Sequence, residues 1–133
     1  MEGDICPLPE IVAFKKKYNA FLILDERHSF GLLWKTARGV DEHFSISPDR
    51  IDIYTSAMSN CVLVSGQFIA TVLQTVIFMQ HAARPFLFSW ASTPANTAAA
   101  LAALEVIEKE GPERIRKVFQ NAVYLKRHLN RLG

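Results

Sequence analysis

The stretch FLILDERHSFG, residues 21–31, decides how this chain is read. Phe21, Leu22, Ile23 and Leu24 are apolar at every position, and the run then stops abruptly in Asp25-Glu26-Arg27-His28-Ser29. A run that is apolar throughout, rather than at alternate positions, suits a parallel strand covered on both faces. In open α/β sheets, ligands sit beyond the carboxyl ends of the strands, which is where Asp25 and His28 fall.

Upstream of this stretch, residues 8–17 are expected to be helical. Ile11, Val12 and Phe14 form the apolar side, and Lys15, Lys16 and Lys17 crowd the last turn, where the helix dipole favours cations. Downstream, residues 31–39 read as a loop, 40–44 as a short helix, 47–50 (SPDR) as a turn and 51–55 as a second strand. Residues 62–64 and 67–70 are expected to be short strands about a turn at Ser65-Gly66. A helix over 71–82 and a strand over 85–89 (PFLFS) follow. Thr93-Pro94 opens a long helix, because proline suits the first helical position and residues 98–104 are strong helix formers. Gly111-Pro112 is expected to close it. The last helix, 113–132, sets Ile115, Val118, Phe119, Ala122, Val123 and Leu129 on one side. It carries six Lys/Arg against one Glu.

This alternation of elements indicates an α/β fold, a mostly parallel sheet flanked by helices. It begins mid-stride, with a helix before the first strand and only four or five strands after it. The expectation is therefore part of a larger protein, with Met1 at a place internal to the full fold.

Bulk properties exclude several classes. Half of the 133 residues are hydrophobic and 21% are charged, which argues against disorder. A net charge of +2 is too small to argue for nucleic acid. Cys6 and Cys61 lie far apart and form no metal-ligand spacing, so free thiols in a reducing compartment are expected. The first ten residues lack the apolar run of a signal peptide. Residues 53–83 contain no Asp, Glu, Lys or Arg. That run is long enough to span a bilayer, but Thr55, Ser56, Ser59, Asn60, Gln67 and Gln74 favour buried strands joined to a short helix. The basic final helix suits either a membrane surface or a solvated face.

No P-loop, GxGxxG, GxSxG or HExxH occurs. His43, His81 and His128 have no carboxylate or cysteine at a ligand spacing. Four motifs do stand in one order: GDICPLPEI (3–11), LDERHSFG (24–31), ARGVDEHF (37–44) and RPFLFS (84–89). Together they resemble the α-oxoamine synthases, pyridoxal-phosphate (PLP) dependent acyltransferases of aminotransferase fold type I. That group includes serine palmitoyltransferase, 8-amino-7-oxononanoate synthase, 5-aminolevulinate synthase and 2-amino-3-ketobutyrate ligase. The resemblance extends over essentially the whole chain.

The resemblance implies that residues 1–110 are the C-terminal half of a PLP-binding large domain and that 111–133 begin a small domain. It implies that Asp25 pairs with the pyridinium nitrogen of PLP, keeping the ring an electron sink. A charge-assisted bond of that kind is worth roughly 1.5–3 kcal/mol. It places His28 near the ring oxygen and the substrate. It also sets the segment T-x-[ST]-K-[AS], which carries the Schiff-base lysine, over Ala57-Met58-Ser59-Asn60-Cys61. Ser59 matches that pattern, but Ala57 replaces the threonine that reaches the phosphate and Asn60 replaces the lysine. An amide nitrogen is delocalised into its carbonyl and cannot form an imine, so covalent catalysis through PLP is lost. Ser89, and the loop from it to Thr93, would lie near a dimer interface. Trp90 stands where members have a small or hydroxylated residue against the partner's cofactor phosphate. Trp34 and Ala37 replace glycines, which implies a different loop path.

An asparagine at the lysine position resembles the non-catalytic long-chain-base subunit of serine palmitoyltransferase, although that subunit often lacks the Asp and His kept here as Asp25 and His28. The leading expectation is a fragment or non-catalytic subunit of a serine palmitoyltransferase-like complex, in which an amino acid condenses with an acyl-CoA in sphingoid base biosynthesis. Its partner would be a homologous catalytic subunit in a heterodimer, or a second copy in a homodimer. One alternative is an active 8-amino-7-oxononanoate synthase or glycine acetyltransferase with the lysine supplied elsewhere. Another is a membrane-associated structural piece. The expected location is the cytoplasmic face of the endoplasmic reticulum membrane in a eukaryote, and otherwise the cytoplasm.

Overall fold

The computed structural model describes residues 3–89 and 91–132. Helix α1 (Leu8–Tyr18) begins at Pro7 and stops at Asn19, whose left-handed backbone (φ 48°) returns its N–H to the Lys15 carbonyl. Lys15 then does more than complement the helix dipole. Its ammonium lies 2.8 Å from Asp52 Oδ2 and donates to the Arg50 carbonyl at 2.9 Å. Asp52 Oδ2 also accepts the Leu22 N–H at 2.7 Å. One carboxylate thus joins the end of α1 to the entrances of the first two strands, and the Lys15 bond holds it below the usual carboxylate range.

Strand β1 (Ile23–Asp25) pairs in parallel with β2 (Ile53–Ala57), setting Asp25 opposite Thr55. Strand β3 (Gln67–Thr71) pairs with β2 in the antiparallel sense, giving the order β1-β2-β3. The described sheet is therefore mixed, with the expected parallel pair at one side. Helix α2 (Val40–His43) and a 3-10 turn at Pro48–Arg50 lie between β1 and β2. Helix α3 (Met58–Cys61) follows β2 directly. Helices α4 (Leu73–Ala82), α5 (Arg84–Phe88) and α6 (Pro94–Leu129) complete the chain.

Three local expectations are corrected. Residues 62–64 do not form a strand: Val62 caps α3, and Leu63 takes a left-handed φ of 55°, which breaks an extended path. Val62 and Val64 are buried in the turn instead. PFLFS is helical in α5, because Pro85 stands in the first turn, where its missing N–H breaks no bond. Gly111-Pro112 does not end a helix, since α6 runs through both for 36 residues, about 54 Å. Gly111 stays out of the left-handed region that closes a helix, and it is buried together with Ile115 one turn on. Pro112 thus sits inside the helix, where it removes one backbone bond.

The core gathers Leu8, Leu24, Val40 and Ile51, with Val12, Leu22, Leu33, Phe44, Ile46 and Tyr54 around them. It covers one face of β1 only. Leu24 is buried, whereas its neighbours Phe21 and Ile23 are 71% and 61% exposed, so the second cover expected for this strand is not supplied by these residues. The accessible surface is 10451 Å², against about 7000 Å² for a compact monomer of this mass. Large apolar residues are among those exposed, including Phe78, Phe86, Phe88, Val123 and Leu129. Among the described residues, no helix is long and apolar enough to cross a membrane. The uncharged run 53–83 is divided among β2, α3, β3 and α4.

Candidate functional site

The site forms where β1 ends. Asp25 is the last residue of the strand, and its carboxylate faces the turn that follows. Arg27 donates to it three times: from its backbone N–H at 3.0 Å, from Nε at 2.9 Å and from Nη2 at 2.6 Å. The Arg27 side chain holds the Asp25 carboxyl below the usual carboxylate range. The Arg27 carbonyl in turn accepts a 2.8 Å bond from Asn60 Nδ2. Asn60 lies on α3, directly beyond β2, so adjacent parallel strands deliver Asp25 and Asn60 to one end of the sheet. Ser59 Oγ lies 3.4 Å from Asn60 Oδ1. His28 is an exposed residue of the same turn. The structure thus links Asp25, Arg27, Asn60 and Ser59 through hydrogen bonds, with His28 beside them.

Ser89 is placed elsewhere. Its hydroxyl donates to the Pro85 carbonyl and finishes α5. Trp90 lies outside the described residues.

Glu26 was not singled out by sequence reasoning. A glutamate between Asp25 and Arg27 reads as solvent-facing, yet it is only 3% exposed. Its carboxylate accepts from the Ser29 hydroxyl and from the Val40 N–H at 3.1 and 3.3 Å. It therefore ties the Asp25 turn to the start of α2. Gly39 makes this possible: a Cβ there would lie 2.6 Å from Glu26 Oε2. Burial pushes the Glu26 carboxyl up, against the opposing effect of its bonds to Ser29 and Val40. The signal available in the sequence was Gly39 at the head of the short helix.

The loop 31–39 holds two non-glycine residues with a left-handed backbone. Trp34 and Ala37 both sit at φ 66°, in the left-handed region that glycine favours. A left-handed residue with a Cβ costs roughly 1–2 kcal/mol at each of these two positions. The Gly31 N–H donates to the Ala37 carbonyl at 2.8 Å. The Glu42 carboxylate accepts the N–H groups of Thr36 and Arg38. The Trp34 ring meets His43 edge-on at 4.8 Å. These contacts hold the strained turns in place.

The whole chain, residues 1–133, matches the family model described as aminotransferase class I and II. The chain belongs to that family. Its curated relatives include α-oxoamine synthases, to which it is similar. It is 40% identical over its full length to 8-amino-7-oxononanoate synthase of Thermosipho melanesiensis, and it covers 34% of that protein. It is also 40% identical to serine palmitoyltransferase of Bacteroides thetaiotaomicron, covering 33% of it. Among solved structures, serine palmitoyltransferase from S. paucimobilis with a bound PLP–myriocin aldimine superposes with a TM-score of 0.91. There the identity is 30%, with 100% of this chain and 34% of that one covered. The chain spans about a third of the length of the relatives it matches.

Members of the α-oxoamine synthase group are PLP-dependent. Where the sequence resemblance sets the Schiff-base lysine, the residue present does not fit covalent attachment of that cofactor. Position 60 offers an amide, and that amide is engaged with the Arg27 carbonyl. The Asp25 carboxylate, which the sequence resemblance expects at the ring nitrogen, accepts two bonds from the Arg27 side chain.

Proposed function

We propose that this chain is part of a lysine-less α-oxoamine synthase, a non-catalytic subunit of a serine palmitoyltransferase-like acyltransferase. The observation that carries this reading is Asn60, an amide in the family's lysine segment, within a chain that matches the family from end to end. In this reading the chain forms a heterodimer with a homologous, lysine-bearing subunit. PLP held by that partner supplies the electron sink for condensing an amino acid with an acyl-CoA in sphingoid base formation. This chain supplies shape. Its buried Glu26 and strained loop hold the end of β1 rigid, and its uncovered apolar surface gives the partner area to bury. Residues 1–110 would belong to the large domain and 111–133 to the small one, with α6 running continuously across the boundary. Ser89 would lie toward the partner. The complex would work at the cytoplasmic face of the endoplasmic reticulum membrane in a eukaryotic cell, and otherwise in the cytoplasm.

Reductive trapping tests the loss of the lysine. The chain is incubated with PLP, reduced with borohydride and digested, and modified lysines are mapped. The expected result is slow, non-saturating labelling spread over exposed lysines. Saturable labelling of one lysine would contradict the non-catalytic reading and favour an active synthase.

A further inference from the structure

We infer that Arg27 is the internal counter-cation of Asp25, and that it weakens the hold of this site on any ligand presenting a cationic ring nitrogen. The inference rests on the reading of position 60 given above.

The geometry is that of an occupied carboxylate. Arg27 places Nε at 2.9 Å and Nη2 at 2.6 Å on Asp25 Oδ2, and its own N–H at 3.0 Å on Oδ1, so both oxygens are used. Side chain and backbone of one residue thus converge on one acceptor. The Arg27 backbone is held as well, since Asn60 Nδ2 donates to its carbonyl at 2.8 Å. Asn60 is therefore a positioning residue for Arg27, acting from the place where the family has its lysine. A protonated ring nitrogen approaching Asp25 must displace the guanidinium or meet its positive charge at close range. Both partners are about half exposed, so solvent screens the pair and the effect is modest.

The probe is PLP, and the full chain is used. Asn60→Lys supplies an amine at position 60. That amine adds to the PLP aldehyde carbon, and the carbonyl oxygen leaves as water with two amine hydrogens. Borohydride then delivers hydride to the carbon of the resulting C=N bond, and water protonates the nitrogen. Affinity is read from imine absorbance against PLP concentration, with peptide mapping to position 60. Adding Arg27→Ala to Asn60→Lys is expected to tighten PLP about fivefold, the factor that loss of an exposed, well-aligned ion pair corresponds to. Arg27→Gln, which keeps most of the side-chain stem, should act in the same direction. Independently of PLP, NMR titration of the Asp25 carboxyl in Arg27→Ala should move upward from its position in the unsubstituted chain. Labelling at position 60 with unchanged or weaker affinity in both Arg27 variants would overturn the inference and leave the functional reading standing. Absence of saturable labelling at position 60 in every variant would also overturn the inference, whereas the functional reading falls only if a lysine of the unsubstituted chain is labelled saturably.

Discussion

Glu26→Ala is expected to destabilise the chain by about 3 kcal/mol, because each buried group left without its partner costs roughly 1–3 kcal/mol. The substitution strands the Val40 N–H and the Ser29 hydroxyl, on residues that are 5% and 7% exposed. It also cuts the only side-chain link described between the Asp25 turn and the start of α2. Denaturant titration measures the loss, and hydrogen exchange should show the Val40 amide opening well before the amides of β2. Glu26→Gln should be far milder, since an amide still accepts from Val40 and meets the rotatable Ser29 hydroxyl. Its effect should also depend on pH. Burial raises the Glu26 carboxyl, so the native state binds this proton more tightly than the unfolded chain does. The glutamate contributes fully below the ordinary carboxylate range, and that contribution is lost as pH rises through the raised value. Glutamine should therefore gain on glutamate as pH rises. A Glu26→Ala variant as stable as the unsubstituted chain would refute the latch.

Gly31→Ala is expected to cost about 3–4 kcal/mol, combining roughly 1–2 for a left-handed residue with a Cβ and 1–3 for overpacking. Gly31 sits at φ 81°, and a Cβ there would lie 2.4 Å from the Cys61 Cβ and 3.2 Å from its sulfur. This contact sets the start of the loop against the end of α3, so the substitution pushes apart the two segments that carry Asp25 and Asn60. Gly3→Ala is the control. Gly3 has a similar φ of 89° but no atom within 4 Å of the added carbon, so only the backbone cost remains. Adding Cys61→Ala should not rescue Gly31→Ala, because the obstructing Cβ persists, whereas Cys61→Gly should recover part of the loss. Equal costs at Gly31 and Gly3 in thermal melts would show that the clash carries no weight.

The parallel pair of strands and the placing of Asp25 were legible because they depend on a local signal, an apolar run ending in charge. Asn60 became legible only through the register of a family motif, since its partner, the Arg27 carbonyl, is 33 residues away. The segments that misled did so for separable reasons. Val62 and Val64 are apolar and buried, like strand residues, but burial in a turn leaves the same trace in composition. PFLFS looks like a strand by its aromatic residues, yet Pro85 near its start favours a helix. Gly111-Pro112 carries a termination signal, yet Gly111 avoids the left-handed conformation that closes a helix and is buried with Ile115. The left-handed backbone at Trp34 and Ala37 could not be read from residues that disfavour it. It is held by Glu42 and Gly31, both brought there by the fold.

The central claim is that this chain serves a lysine-bearing partner and does not act as the catalyst itself. Co-expression with a homologous α-oxoamine synthase that keeps the lysine tests it most directly, with differential tags and a tandem purification read by light scattering. The expected result is a stoichiometric complex in which PLP is trapped only on the partner's lysine. Failure of the two chains to co-purify, or PLP trapped on a lysine of this chain within the complex, would contradict it.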